Sequence, residues 1–344
     1  MVLGPIRYCG PFFFAAAIPA LFYGVGPFCP ILSIVALLLV LLGAEFVSVR
    51  SDLTASSETL AALWLLPYFY IPVQLALIVW AMTHAAQLTP PSFASLSLSV
   101  GVTTGVFGVL AAHELVHGDG RIGHLFATAL LTGMSYRHFR IAHVHGHHQF
   151  AATEDDPATA RQGEGFYYFL LRTLAGQYRD AWRIEQSRLV AQKLPAWRNR
   201  LTADAAITGI VFLAVFYFAS WRGAAFFAAQ SVVAIIVLEL FNYIAHYGLL
   251  RSSNEKGRQP FGAAHSWNSS SVLANALMFN MGHHTHHHAR PFAPYQSLRH
   301  EVTAPELPLG YAGSILLALV PPLWQRIMDP AVQRLHTRSS NVSA

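Results

Sequence analysis

Six apolar stretches, each close to 20 residues long, dominate the chain: 3–23, 28–49, 60–82, 93–116, 203–221 and 224–250. Crossing a bilayer core of about 30 Å takes about 20 apolar residues in a helix. In hydrocarbon every backbone N–H and C=O must be bonded inside the protein, so the expected fold is all-α, with about six transmembrane helices. The balance of 54% hydrophobic and 11% charged residues, with a mean hydropathy of +0.40, excludes a disordered or coiled-coil chain. The first stretch has a single basic residue ahead of it and is followed at once by the second, so it reads as a span and not as a cleaved leader. Pro19, Pro67 and Pro72 are expected to kink their helices, which is tolerated where neighbours satisfy the freed carbonyls.

Cytoplasmic loops retain Lys and Arg, so the 22 basic residues set the orientation. Arg7, Arg50, the Arg121–Arg200 group and the Arg251–Arg338 group all fall on one side of the expected spans, and only Arg222 falls on the other. Both termini are therefore expected in the cytoplasm, with segments 117–202 and 251–310 forming a helical cap there. Within the cap, a helix is expected over 164–194. The stretch 311–324, broken by Pro321 and Pro322, reads as interfacial, and Trp80, Trp221 and Trp324 as belt residues. Residues 1–332 read as one domain and 333–344 as a polar tail. The net charge of +5 is not gathered into a basic run, so nucleic acid is not an expected partner.

Histidine is the abnormal residue, at 18 of 344. Cys9 and Cys29 lie in apolar sequence and supply neither a disulfide framework nor an iron–sulfur ligand set, and no haem or flavin motif is present. Any electrons must come from outside the chain. His113-Glu114-Leu115-Val116-His117 closes the fourth stretch, with two imidazoles at i, i+4 on one helix face. His143-Val144-His145-Gly146-His147-His148 and His283-His284-Thr285-His286-His287-His288 follow, and His246 closes the sixth stretch. With the N-terminus inside, the fourth and sixth spans both run inward, so every box lands on the cytoplasmic side. That convergence was not built into spans assigned from apolar length and charge.

Eight or nine imidazoles are too many for one ion, and structural zinc is usually closed by thiolates that are lacking here. Imidazole suits iron, and two irons with open positions would activate dioxygen against a carbon held in the apolar spans. Here the sequence resembles the membrane di-iron oxygenases of the desaturase and hydroxylase superfamily, and more narrowly the bacterial alkane 1-monooxygenases. The narrower likeness rests on Asn242-Tyr243-Ile244-Ala245-His246-Tyr247-Gly248-Leu249, His265-Ser266-Trp267-Asn268-Ser269, Pro294-Tyr295-Gln296-Ser297-Leu298-Arg299, Asp155 to Arg161, and Gly310-Tyr311-Ala312-Gly313 running to Trp324. It covers roughly 105–332. The resemblance implies nine iron ligands: His113, His117, His143, His147, His148, His246, His284, His287 and His288. It also implies two non-haem irons, dioxygen, an apolar substrate hydroxylated at a terminal methyl, rubredoxin or ferredoxin with its reductase, and the bacterial inner membrane.

The chain departs from that pattern at Ala142 and Ala245, where the family has glutamates, at His283 and His286, where it has arginine and aspartate, and at Gly118. Carboxylates beside metal-bound histidine orient the ring, so these losses bear on the substrate more than on the metal. Glu114, Asp156, Glu239, Asn242 and His286 are the candidates for orienting the ligands, Glu239 also as an ionisable group at membrane depth. His145, His283 and His286 are read as non-ligands beside the boxes; His84, His124, His138, His300 and His336 as structural or surface residues. An alkyl-aromatic methyl or a fatty-acyl chain is an alternative substrate in the same chemistry. An intramembrane zinc protease on His113, Glu114 and His117 would leave seven further box histidines without use, and a catalytically silent metal binder is the remaining class.

Overall fold

Length decides which apolar stretches can cross a bilayer. The computed structural model describes residues 5–46, 63–118, 120–251, 253–254 and 257–342. In chain order the helices are α1 (Gly10–Gly24), α2 (Ile31–Phe46), α3 (Leu66–Ala85), α4 (Pro90–His117), α5 (Arg121–Gly133), α6 (139–150), α7 (Phe166–Ala191), α8 (Arg200–His246), α9 (Val272–Leu277), α10 (His284–Ala289), α11 (Gly310–Ala318) and α12 (Pro321–Val342). Extended structure among the described residues is confined to a two-residue pairing of Ser253–Asn254 with Gly257–Arg258 and one bridge between Asn268 and Glu306. The protein is all-helical, and α3, α4 and α8 are long and apolar enough to cross a membrane. The first two apolar stretches become α1 and α2, of 15 and 16 residues. The end of the second expected span and the start of the third, 47–62, lie outside the described residues, as do 1–4 and 343–344.

The 47 residues of α8 would measure about 70 Å if straight. They do not run straight. Ser220 has φ 66° and ψ 178°, and the rings of Phe212 and Phe227 lie 5.0 Å apart, although 15 residues of straight helix would separate them by about 22 Å. The helix therefore folds back at Ser220 into two antiparallel arms, 200–219 and 221–246, which take up the fifth and sixth apolar stretches. At the Ser220 end, Arg222 donates to the Leu88 carbonyl, and the Tyr23 hydroxyl meets His84 Nε2 at 2.7 Å and accepts from Trp80 Nε1 at 3.1 Å.

The second arm of α8 lies along α4. A Cβ at Gly101 would stand 2.5 Å from Val233 Cβ, and one at Gly105 would stand 2.7 Å from Val237 Cβ. Only glycine lets the backbones approach so closely, as in small-xxx-small seams of membrane helices. Both contacts share one offset, so the two helices run parallel and bring His117 and His246 to the same end. A buried chain ties the seam: Tyr70 hydroxyl to Gln74 at 2.7 Å, Gln74 Nε2 to Thr104 at 2.7 Å, and Thr104 to Gln230 at 3.3 Å.

In the cap, α7 falls within the expected 164–194. Arg137 and Arg140 bond Asp204, at 2.8 Å and 2.5 Å, and fasten α6 to the first arm of α8. One expectation is corrected. Trp324 is no belt residue: it is fully buried between Tyr243 and Tyr247, with centroids at 5.4 Å and 5.2 Å. The stretch 311–324 is divided between α11 and α12 at the expected prolines; Pro321 and Pro322 sit in the first turn of α12, where no intrahelical N–H is required, and the helix runs on past Pro330 to Val342.

Candidate metal centre

α4 ends in His113 and His117, one turn apart, with ring centroids at 4.8 Å. α6 supplies the second box through a π-helical turn, His143–His147. A π turn closes on i+5, so His143 meets His148 and not His147: the Nε2 atoms of His143 and His148 are 3.0 Å apart. α10 turns His284, His287 and His288 inward and leaves His286 at the edge, and α8 ends on His246.

The structure gathers these nine histidines into two groups. His113, His117, His143, His148 and His287 form cluster one; His147, His246, His284 and His288 form cluster two; within each, the candidate ligand atoms lie within 4.8 Å of one another. Among the described residues no carboxylate or thiolate belongs to either. In cluster one the Nε2 atoms of His117 and His143 are 3.1 Å apart, as are those of His148 and His287; in cluster two those of His284 and His288 are 3.2 Å apart. An ion about 2.1 Å from each imidazole nitrogen holds neighbouring nitrogens roughly 3.0–3.4 Å apart in right-angled or tetrahedral arrangements. The residues therefore fit metal ions.

Burial, then repulsion among neighbouring imidazoles, holds His143, His148, His284, His287 and His288 well below the usual histidine range. They are neutral at pH 7, the form that ligates. In cluster two, His147 Nδ1 donates to Asp156 Oδ2 at 2.8 Å and His246 Nδ1 donates to the His265 carbonyl at 2.9 Å, leaving both Nε2 atoms buried and free of hydrogen-bond partners. Burial alone would raise the Asp156 carboxyl; His147 and hydrogen bonds from Thr159 and Ala158 outweigh it and hold the group below the usual aspartate range.

Of the other candidates for orienting ligands, Glu114 accepts from the Tyr295 backbone N–H at 3.1 Å, and Glu239 bonds Asn242 Nδ2 at 3.0 Å in a separate buried network. His145, His283 and His286 lie outside both clusters. Ala142 packs with Ile141, Ala181 and Leu201, and the Ala245 carbonyl accepts from Trp267 N–H at 2.8 Å. Three residues were missed by sequence reasoning as site components. They are His265, through its carbonyl; Phe139, stacked on His143 at 4.7 Å; and Phe261, stacked on His288 at 4.7 Å. Only His265 had a signal, as the first residue of the phrase quoted above.

Fold and site together define a membrane protein with a buried, all-histidine centre suited to metal ions. A family model described as fatty acid desaturase matches residues 88–313. The chain is 39% identical over 269 residues to alkane 1-monooxygenase 2 of Pseudomonas aeruginosa, covering 76% of this chain and 71% of that protein. It is 39% identical to alkane 1-monooxygenase 1 of the same organism, over 69% of this chain and 63% of the relative, and 32% identical to alkane 1-monooxygenase of Pseudomonas putida, over 93% and 78%. The chain belongs to the fatty acid desaturase family and, within it, to the alkane hydroxylases, a group of membrane oxidoreductases.

Proposed function

We propose that this protein hydroxylates the terminal methyl of an alkane, using dioxygen, two non-haem irons held by the nine clustered histidines, and electrons from rubredoxin or ferredoxin with its reductase. The observation that carries the reading is the pair of buried clusters, of five and four imidazoles, at the common end of α4 and α8. Iron bound there would supply dioxygen activation, with one oxygen atom entering the C–H bond and the other leaving as water. The chain's own residues prepare that chemistry. Asp156 and the His265 carbonyl fix which nitrogen of His147 and His246 faces the metal. Phe139 and Phe261 cover a ligand in each cluster and keep water from it. The apolar helices α3, α4 and α8 offer an alkane a medium like its own, as no charged group of theirs competes for it along most of their length.

In the same reading residues 1–332 form one unit in the bacterial inner membrane, spanning it about six times, with both termini, the helical cap and the metals cytoplasmic. Crowding all the basic residues but Arg222 onto the side that carries the clusters supports this orientation. Product analysis decides the substrate: iron-loaded protein given rubredoxin, its reductase and NADH should convert octane to 1-octanol. Turnover of xylene alone would move the reading to alkyl-aromatic methyl groups, and turnover of a fatty acid alone to acyl chains. Bound iron with no dioxygen uptake would leave a silent binder.

A further inference from the structure

Among the buried carboxylates that the mechanism above does not use is Glu239. Glu239 is fully buried, and its oxygens accept from Tyr136 hydroxyl at 3.0 Å, Gln177 Nε2 at 2.9 and 3.0 Å, Asn242 Nδ2 at 3.0 Å and Thr173 hydroxyl at 3.3 Å. Every partner donates, which fits an ionised carboxylate, since the NH2 nitrogens of the two amides have no lone pair to offer a protonated one. Tyr136 is itself buried, and it stands in a row of rings. Toward the metal centre its ring is 6.5 Å from Phe139, which stacks on the cluster-one ligand His143 at 4.7 Å and 18°. Toward the surface it is 4.3 Å from His138, which is 5.4 Å from the ring of Tyr178, 46% exposed. The row thus joins solvent to a ligand of cluster one, and one phenol inside it is bonded to a base.

We propose that Tyr136 is a one-electron relay for the metal centre, giving its electron toward His143 and its phenolic proton to Glu239, with Tyr178 as the surface terminus. This rests on the iron and dioxygen reading above. When no substrate C–H bond is in reach, iron held by the clusters and oxidised by dioxygen would be the oxidant. Tyr136 gives up one electron toward it through His143, lowering it by one equivalent. The Tyr136 O–H bond breaks and its proton moves to Glu239 Oε1, leaving a neutral phenoxyl radical beside a neutral carboxylic acid. Tyr178 then returns one electron to Tyr136 and releases its own proton to water, Glu239 gives its proton back, and an external thiol or the electron carrier re-reduces Tyr178.

The base is what makes the step accessible. Oxidising a buried phenol with nowhere to send its proton would strand a positive charge in an apolar site, at a cost of many kcal/mol. Burial, then the Glu239 charge, keeps the Tyr136 hydroxyl far above the usual tyrosine range, so it rests as a phenol holding the proton to be moved. Burial pushes His138 down to about 4, which leaves it a neutral spacer. The consequence is protection: an oxidising equivalent leaves the site before it attacks the ligand histidines.

The test uses iron-loaded, full-length protein reduced and exposed to dioxygen without substrate, then frozen for electron paramagnetic resonance, with ring-deuterated tyrosine to assign the signal. A tyrosine radical is expected in the wild type, absent in Tyr136→Phe, at least tenfold weaker in Glu239→Gln, and several-fold longer-lived in Tyr178→Phe. Peptide mass spectrometry should show oxidation of His143 and its neighbours rising several-fold in Tyr136→Phe. Iron content and melting temperature, unchanged in Tyr136→Phe and Tyr178→Phe, separate this outcome from misfolding. A radical that persists in Tyr136→Phe overturns the relay, as does dioxygen uptake by the wild type with neither a tyrosine radical nor the rise in histidine oxidation. No dioxygen uptake by iron-loaded protein would remove the functional reading, and the relay with it.

Discussion

Cluster one and cluster two are built from the same residue type and differ in how their outer nitrogens are held. In cluster two, Asp156 and the His265 carbonyl bind the outer nitrogens of His147 and His246, fixing tautomer and ring plane together. In cluster one, the outer nitrogens of His113, His117 and His148 are buried without hydrogen-bond partners, and the rings are set by ring contacts: Phe139 stacked on His143, and His113 tilted against His287 at 4.6 Å. A hydrogen bond fixes a direction, whereas stacking fixes a plane and leaves sliding within it. Two of the four imidazoles of cluster two, His147 and His246, are thus oriented by hydrogen bonds, while its His284 and His288 have buried, unpartnered outer nitrogens like those of cluster one.

The largest effect should come from breaking what the clusters share. Gly105→Val places side-chain atoms where Ala234 and Val237 of the parallel helix already stand, at a cost of about 3 kcal/mol or more, and should cost both clusters their metal; elemental analysis of detergent-purified protein checks it, and retention of either metal would mean that the seam does not set the level of both. Next, Asp156→Asn should weaken metal binding at cluster two by 10–100-fold while sparing cluster one, as read by chelator competition. Equal weakening of both would erase the distinction drawn here. Phe139→Leu should act on cluster one alone and by less than about tenfold, because it loosens a plane and removes no hydrogen bond.

The smallest effect concerns pH. His138 is held near 4 in the fold against an ordinary 6.5, so the unfolded chain binds more protons between these values. Its contribution to stability is fully present above pH 6.5 and is lost as pH falls toward 4, by roughly 3 kcal/mol at most. His138→Gln should therefore flatten the decline of melting temperature over that window; an unchanged slope would show that His138 is not the group that titrates.

The apolar runs and the nine histidines were legible because hydrophobic length and imidazole count do not depend on neighbours. The reversal at Ser220 was visible only as a shift between two apolar runs, since neither glycine nor proline marks a turn that a serine makes at positive φ. The division of the second box was hidden for a different reason. An α-helical reading pairs His143 with His147 at i, i+4, and only the π turn pairs His143 with His148. Asp156 could be named from the sequence as an orienting carboxylate because it follows the box closely. Glu114 could not be resolved: its place inside a His-Glu-x-x-His phrase suggests a part in the metal site, yet its carboxylate faces Tyr295. Trp324 illustrates the same limit, as tryptophan beside prolines at the end of an apolar run serves a membrane belt and a protein core equally well.

Metal content per chain most directly tests the proposal that each cluster holds a metal of its own. Elemental analysis of wild type, His143→Ala and His246→Ala should give roughly two irons, then about one in each variant, with the remaining iron in the cluster left intact. One zinc and no iron in the wild type, or loss of all metal from both variants, would contradict it.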